Sequence, residues 1–162
     1  MTFLLRLSVL ATILGLTAGV PATPARADAI LDVIRAYGLI GTWAADCASP
    51  ASTDNWHMSY YATSAGMARR KSYRGPNENT LDGTVDSAER LTPTMLRMRL
   101  RNDDPNWGDA NGRYYDTVVE VANGRARSLS SIGSDGIHYI TEGKFRDGTP
   151  TSALNRCRNS SS

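Results

Sequence analysis

From Gly41 onward the chain alternates apolar and polar residues in short segments, and turn-forming residues separate these segments at regular spacing. A period of two places successive side chains on opposite faces of a β-strand. The eight strand candidates are, in chain order, Thr42–Cys47, Trp56–Thr63, Met67–Arg74, Leu81–Arg90, Thr94–Arg101, Arg113–Val121, Arg125–Gly133 and Ile137–Phe145. This pattern predicts an all-β domain.

The connections between the segments indicate how the strands are arranged. Asn123-Gly124 is a two-residue hairpin signal, and Ser134-Asp135-Gly136 is a short loop of the same kind. Short connections favour an antiparallel meander, whose two exposed edges disappear when the sheet closes. We therefore expect an eight-stranded antiparallel barrel, with a flattened β-sandwich as the alternative. The apolar stripe in Ala29–Leu39 predicts a short helix that plugs one end of the barrel.

Charged residues alternate in sign between successive strand candidates. In Thr94–Arg101 one face is apolar and the other is basic, with Leu96, Met98 and Leu100 opposed to Arg97, Arg99 and Arg101. The neighbouring candidates carry acidic residues, which include Asp82, Asp86, Asp116 and Glu120. Opposite charges on paired strands stabilise a sheet. We interpret the basic clusters, including the one in Met67–Arg74, as solvated faces paired with acidic neighbours, with an anion-binding patch as the alternative.

The first 27 residues have the form of a cleavable secretory signal. Arg6 precedes an apolar run from Leu7 to Val20, and Ala25-Arg26-Ala27 matches the A-x-A pattern that signal peptidase reads. The run has 14 residues, fewer than the roughly 20 that span a bilayer. We expect cleavage between Ala27 and Asp28 and a periplasmic or secreted protein.

The mature chain then consists of one domain over residues 28–158 and a frayed tail over residues 159–162. Removing Arg6 and Arg26 lowers the 18 basic residues to 16, which equals the number of acidic residues. A neutral domain has no general electrostatic field for nucleic acid or for anionic membranes. We therefore expect no nucleic-acid partner and no membrane span after cleavage.

The chain contains two cysteines, Cys47 and Cys157. An even number of cysteines in an exported chain predicts a disulfide, with two free thiols as the alternative. The bridge would connect the start of the domain to its last few residues. On the chain-entropy argument, closing so long a loop stabilises the fold by about 4–5 kcal/mol.

Gly41-Thr42-Trp43 follows the expected helix and opens the first strand candidate. This resembles the G-x-W motif that starts the first strand of lipocalins and related calycin barrels. The resemblance implies that Trp43 closes the barrel floor against an arginine near the last strand, for which Arg156 and Arg146 are the candidates. It also implies a disulfide between the C-terminal segment and the barrel. The longer stretch Gly41–Cys47 is similar to the G-x-W-x-x-D-C start of small exported bacterial proteins that are largely uncharacterised.

Residues with chemical reactivity are isolated from one another in the sequence. His57 and His138 lie in separate strand candidates without ligand spacing, so we interpret both as surface residues and expect no metal site. Ser134 lies between two strands, which is typical of a hairpin turn and not of a serine nucleophile. The loop that contains Asp103 and Trp107 is interpreted as a polar hairpin loop, with a calcium site as the alternative. The sequence predicts neither an enzyme nor a cofactor.

Aromatic residues are spread over five of the strand candidates. They either fill the core of a small barrel or line a pocket and offer polar hydroxyl groups. The second interpretation predicts a non-enzymatic protein that binds a small apolar or amphipathic ligand. The residues expected to line the pocket are Trp56, Tyr60, Tyr115 and Tyr139. The alternative is a protein-interaction module, such as an inhibitor of an exported or host enzyme.

Overall fold

The computed structural model describes residues 24–76, 81–105 and 111–158. Most of the expected signal segment and the expected tail at residues 159–162 therefore lie outside the described residues. One helix, α1, spans Pro24–Ala36. The strands are β1 Gly41–Ala44, β2 His57–Ala62, β3 Ala68–Tyr73, β4 Leu81–Arg90, β5 Met95–Asn102, β6 Tyr114–Ala122, β7 Arg125–Gly133, β8 His138–Thr141, β9 Lys144–Phe145 and β10 Leu154–Arg156.

The strands form a closed eight-stranded antiparallel barrel, as the sequence predicts. Strands β1 to β7 pair with their neighbours in chain order, and β10 pairs with both β7 and β1 to close the ring. The Asn123-Gly124 turn between β6 and β7 has positive φ at both residues, 53° and 72°, which matches the twist of a tight hairpin.

The prediction of a single last strand over Ile137–Phe145 is wrong in one respect, because these residues form two strands, β8 and β9. Glu142 and Gly143 adopt positive φ values of 51° and 70°, and this turn reverses the chain between β8 and β9. Strand β8 pairs with the end of β7, whereas the strand that closes the ring is β10, further along the chain. The segment between β9 and β10 is held by Thr151, whose hydroxyl donates to the Ser128 carbonyl at 2.8 Å.

Helix α1 packs on the barrel mainly near β4. Its apolar stripe buries Leu31 and Ile34 in the core. The Tyr37 hydroxyl is hydrogen-bonded to the carbonyls of Thr92 and Met95 in the β4–β5 connection. Gly38, with φ +66°, ends the helix, because a left-handed residue lets the next amides bond back to the last turn. The helix thus closes the barrel end at which β4 turns into β5.

The cross-strand charges pair as the alternation of signs predicts. Arg99 donates to Asp116 through two nitrogens, at 2.8 and 2.7 Å, across β5 and β6. Further ion pairs across neighbouring strands are Arg69–Asp82, Arg97–Glu89 and Arg127–Glu120. On the opposite face of β5, Leu96, Met98 and Leu100 are buried in the core.

The seam of the barrel lies between β1 and β10. Trp43 is the register partner of Arg156, and the backbone amide of Cys157 donates to the Thr42 carbonyl at 2.8 Å. A disulfide joins Cys47 to Cys157 across this seam, with Cα atoms 5.3 Å apart, which confirms the predicted bridge. Within the described ranges, no helix is both long and apolar enough to cross a bilayer.

Candidate binding cavity

A cavity of about 590 Å³ occupies the barrel at the end opposite the β4–β5 turn. It is lined by the start of β4, the end of β5 and the start of β6, together with the end of β3 and the region around the start of β2. These strand ends meet because successive strands run antiparallel. The volume lies in the range of about 300–1,000 Å³ that is typical of small-molecule sites.

The four aromatic residues expected to line a pocket all reach this cavity. They are Trp56, Tyr60, Tyr115 and Tyr139. The rings of Tyr115 and Tyr139 meet edge to face, with centroids 5.6 Å apart and an interplanar angle of 62°. This is the preferred arrangement of an aromatic pair. The structure therefore brings together, in one cavity, side chains that come from opposite ends of the sequence.

Tyr139 is held in place by hydrogen bonds at the turn between β7 and β8. Its hydroxyl donates to Asp135 at 3.0 Å, and the same carboxylate accepts from Arg113 at 2.9 Å. Burial raises the pKa of Tyr139, and the bond to Asp135 raises it further. The pKa of Asp135 is lowered, chiefly by the backbone amide of Ile137. The phenol therefore stays protonated, and its ring has a fixed orientation at the cavity wall.

The apolar part of the lining lies around β8, β9 and β10. Ile140 and Phe145 are register partners across the β8–β9 hairpin, and Leu154 of β10 pairs with Ala126 of β7. All four side chains line the cavity. We refer to Tyr139, Ile140, Phe145 and Leu154 as the apolar wall.

The inner face of β3 is polar, which the sequence analysis did not predict. Arg70 and Ser72 of β3, and Arg74 directly after its last residue, alternate along the chain and line the cavity, and we call these three residues the β3 polar row. Ser72 is only 2% exposed, and its Oγ has no hydrogen-bond partner in the part of the chain that the structure describes. The Arg74 guanidinium lies 3.7 Å from the centroid of the Trp56 ring, which is a cation–π contact.

The neighbouring Arg69 has a different environment, on the outer face of β3. It donates to Asp82 at 2.8 Å and to Asp103 at 2.9 Å, so two carboxylates neutralise its charge. Burial is the largest single influence on the pKa of Arg69, and it lowers that pKa. The hydrogen bond and the charge of Asp82 oppose it, and the pKa of Arg69 is raised overall. The interpretation of the basic clusters as surface charges with acidic partners is therefore confirmed for Arg69. It is wrong for Arg70, which faces inward.

Trp43 and Arg156, the two residues expected to close the barrel, lie near the end of the cavity that is closest to the α1–β1 connection. Trp43 is 2% exposed, lines the cavity, and donates from its indole to the Leu39 carbonyl at 2.8 Å. Arg156, its register partner, donates to the Ile40 carbonyl at 2.8 Å. Both side chains therefore fix the segment that connects α1 to β1.

Other residues considered in the sequence analysis lie outside the cavity. The His57 ring is within hydrogen-bond distance of the Ser49 carbonyl, at 3.1 Å, and His138 is exposed on β8. Ser134 lies in the β7–β8 turn, where the Gly136 amide donates to the Gly133 carbonyl at 2.9 Å. Trp107 lies outside the described residues. Within residues 24–76, 81–105 and 111–158, no three His, Cys, Asp or Glu side chains converge as a metal site.

Comparisons with known proteins give no relative for this chain. No family model, no curated protein and no solved structure matches it significantly.

Proposed function

We propose that this protein is an exported, non-enzymatic carrier that binds a small amphipathic ligand inside the barrel. The observation that carries the proposal is the cavity of about 590 Å³, since a barrel whose core is filled by side chains has no such volume. Its lining combines aromatic and aliphatic side chains with polar and charged ones, which suits a ligand that has both an apolar and a polar part.

Two further features support the proposal. The Gly41-Thr42-Trp43 start and the eight-stranded ring are consistent with a lipocalin-like barrel, a fold whose members hold ligands in the barrel interior. The Cys47–Cys157 disulfide is compatible with an oxidising compartment outside the cytoplasm, in agreement with the signal-like N-terminal segment. We therefore propose the periplasm or the extracellular space as its location.

The test is native mass spectrometry of the protein purified from the compartment in which it accumulates. We expect a mature chain that begins at Asp28, a mass two daltons below that of the reduced form, and a bound small molecule. A protein recovered with a stoichiometric protein partner and no small molecule would overturn the carrier function and favour an interaction module.

The same measurement on two variants tests whether the small molecule is bound in the cavity. Thr117 is buried on the inner face of β6, whereas its neighbour Val118 faces outward. Thr117→Phe fills part of the cavity and should abolish retention of the small molecule. Val118→Phe adds the same ring to the outside and should retain it. Equal retention by both variants would place the ligand elsewhere.

A further inference from the structure

The cavity has two chemically different sides. In the ring order β1 to β7 followed by β10, strand β3 is four positions from β7 in either direction, so the two strands lie across the barrel from each other. The β3 polar row therefore faces the side on which β8, β9 and β10 supply the apolar wall. A ligand that spans the barrel meets the β3 polar row at one end. At the other end it meets the apolar wall, with the hydroxyl side chains of Ser128, Ser131 and Thr151 beside it.

Arg70 has little to neutralise it from within the protein. Among the described residues, no carboxylate lies within ion-pair distance of its guanidinium. Its cross-strand neighbours on the inner face are Tyr60 on β2 and Gly83 on β4. Gly83 has no side chain, so β4 offers no counter-ion to Arg70 at this position. An inward cation without a counter-ion costs free energy unless a ligand or water satisfies it.

Ser72 gives a second, independent indication at the same place. Its hydroxyl is buried, faces the cavity, and has no hydrogen-bond partner in the described parts of the chain. The side chains of its register partners, Met58 and Leu81, are apolar. Buried polar groups in folded proteins are nearly always hydrogen-bonded, so a missing partner points to a ligand atom.

The two acidic residues of the described lining, Asp82 and Asp54, form no ion pair with Arg70. Asp82 is bound by Arg69 on the outer face of the β3–β4 pair. Asp54 is exposed in the connection between β1 and β2. Two other arginines of the described lining have acidic partners, since Arg101 pairs with Asp86 and Arg127 pairs with Glu120. The described residues give Arg70 no such carboxylate.

We propose that Arg70, Ser72 and Arg74 bind the anionic head group of an amphiphile whose hydrocarbon part lies on the apolar wall. This inference rests on the proposed carrier function and names its ligand class. The Arg70 guanidinium donates charge-assisted hydrogen bonds to the head group, and the Ser72 hydroxyl donates one more. Arg74, stacked on Trp56, adds positive charge from the same strand face.

The experiment measures binding of matched ten-carbon probes to the full mature protein by calorimetry and by tryptophan fluorescence. The probes are decanoate, decyl sulfate, 1-decanol and decyltrimethylammonium, which share one chain and differ in the head group. We expect both anions to bind about tenfold more tightly than the alcohol, since one charge-assisted hydrogen bond is worth about that factor. The cation should bind more weakly than the alcohol.

Two variants on the same strand locate the charge effect. Arg70→Gln removes an inward charge, and Lys71→Gln removes the same charge from the exposed outer face. Arg70→Gln should abolish the preference for anions and leave the affinity for 1-decanol within twofold. Lys71→Gln should bind all four probes as the unmodified protein does. Thermal unfolding of both variants checks that they are folded.

The outcomes separate this inference from the proposed function. Binding of the alcohol and the anions with equal affinity, or an equal response of the two variants, would overturn the head-group site and leave the carrier function intact. Failure of all four probes to bind the folded protein would overturn both. A preference for decyl sulfate over decanoate, lost in Arg70→Gln, would assign the site to sulfate-like or phosphate-like head groups.

Discussion

Arg70 and Tyr60 face each other across the β2–β3 pair, and both side chains line the cavity. Burial raises the pKa of Tyr60, and the charge of Arg70 and a hydrogen bond to it oppose that rise. The phenol therefore stays neutral at physiological pH. A neutral Tyr60 offers Arg70 no counter-charge from β2.

Replacement of Ser72 by alanine should stabilise the ligand-free protein. The substitution removes a buried hydroxyl that has no described hydrogen-bond partner, and such a group costs about 1–3 kcal/mol. We expect Ser72→Ala to raise the free energy of unfolding by about 1 kcal/mol. Urea denaturation of the ligand-free protein measures this change.

Ser59→Ala is the matched control for that substitution. Ser59 lies on the outer face of β2, where its hydroxyl is 2.9 Å from that of Thr42. Loss of this bond should leave stability unchanged or slightly reduced. A stability loss in Ser72→Ala as large as in the control would mean that the hydroxyl has a partner after all.

The coupling free energy between Arg99 and Asp116 should depend on pH. The hydrogen bonds from Arg99 are the main cause that lowers the pKa of Asp116 below its ordinary value of 3.8. Because the folded pKa is depressed, the stabilisation is present above pH 3.8 and is lost as the pH falls through the folded pKa. A double-mutant cycle with Arg99→Ala and Asp116→Ala measures the coupling at pH 6 and at about pH 2. Coupling that is the same at both pH values would contradict the assignment.

Loss of the disulfide should destabilise the barrel strongly. The bridge closes a loop of 110 residues, and removal of such a bond from a small exported domain costs about 2–5 kcal/mol. We expect this loss in Cys47→Ser/Cys157→Ser, measured by urea denaturation. The unmodified protein treated with reductant should unfold at the same denaturant concentration as the double variant. A difference smaller than 1 kcal/mol would show that the β1–β10 pairing holds the seam by itself.

Gly83→Ala should be more damaging than an alanine elsewhere on the same strand. A Cβ at position 83 would lie 2.4 Å from the backbone oxygen of Arg101, so β4 and β5 would have to move apart. We expect a loss of about 1–3 kcal/mol in the free energy of unfolding. Ser87→Ala on the exposed face of β4 is the control and should change stability by less than about 0.5 kcal/mol.

Most of the barrel could be predicted because the long strands carry a clear period of two. Thr94–Arg101 shows it best, and β5 occupies nearly the same residues. The closing strand β10 could not be predicted, because three residues are too few to show a period. Its position is determined by pairing with β1 and β7, which are distant in the sequence.

The polar side of the cavity was missed for a different physical reason. In the sequence Arg69-Arg70-Lys71, both faces of the strand carry basic residues, so the charge pattern alone does not tell which face is inward. The register with β2 and β4 decides it, and that register depends on long-range pairing. Residue type does not decide the direction for the aromatic residues either, since Tyr60 and Tyr115 line the cavity whereas Tyr73 and Tyr114 are exposed.

Strand β10, which forms the wall between β7 and β1, has fewer residue pairs with its neighbours than β6 and β7 have with each other. In the described strands, β10 is joined to β1 by two residue pairs and to β7 by two, whereas β6 and β7 share eight. Amides in this wall should therefore exchange with solvent through local opening, well before the core strands β4 to β7 lose protection. Such an opening would leave the rest of the sheet paired and β1 joined to the C-terminal segment by the disulfide. On the proposed carrier function, it would be a lateral route for the ligand into the barrel.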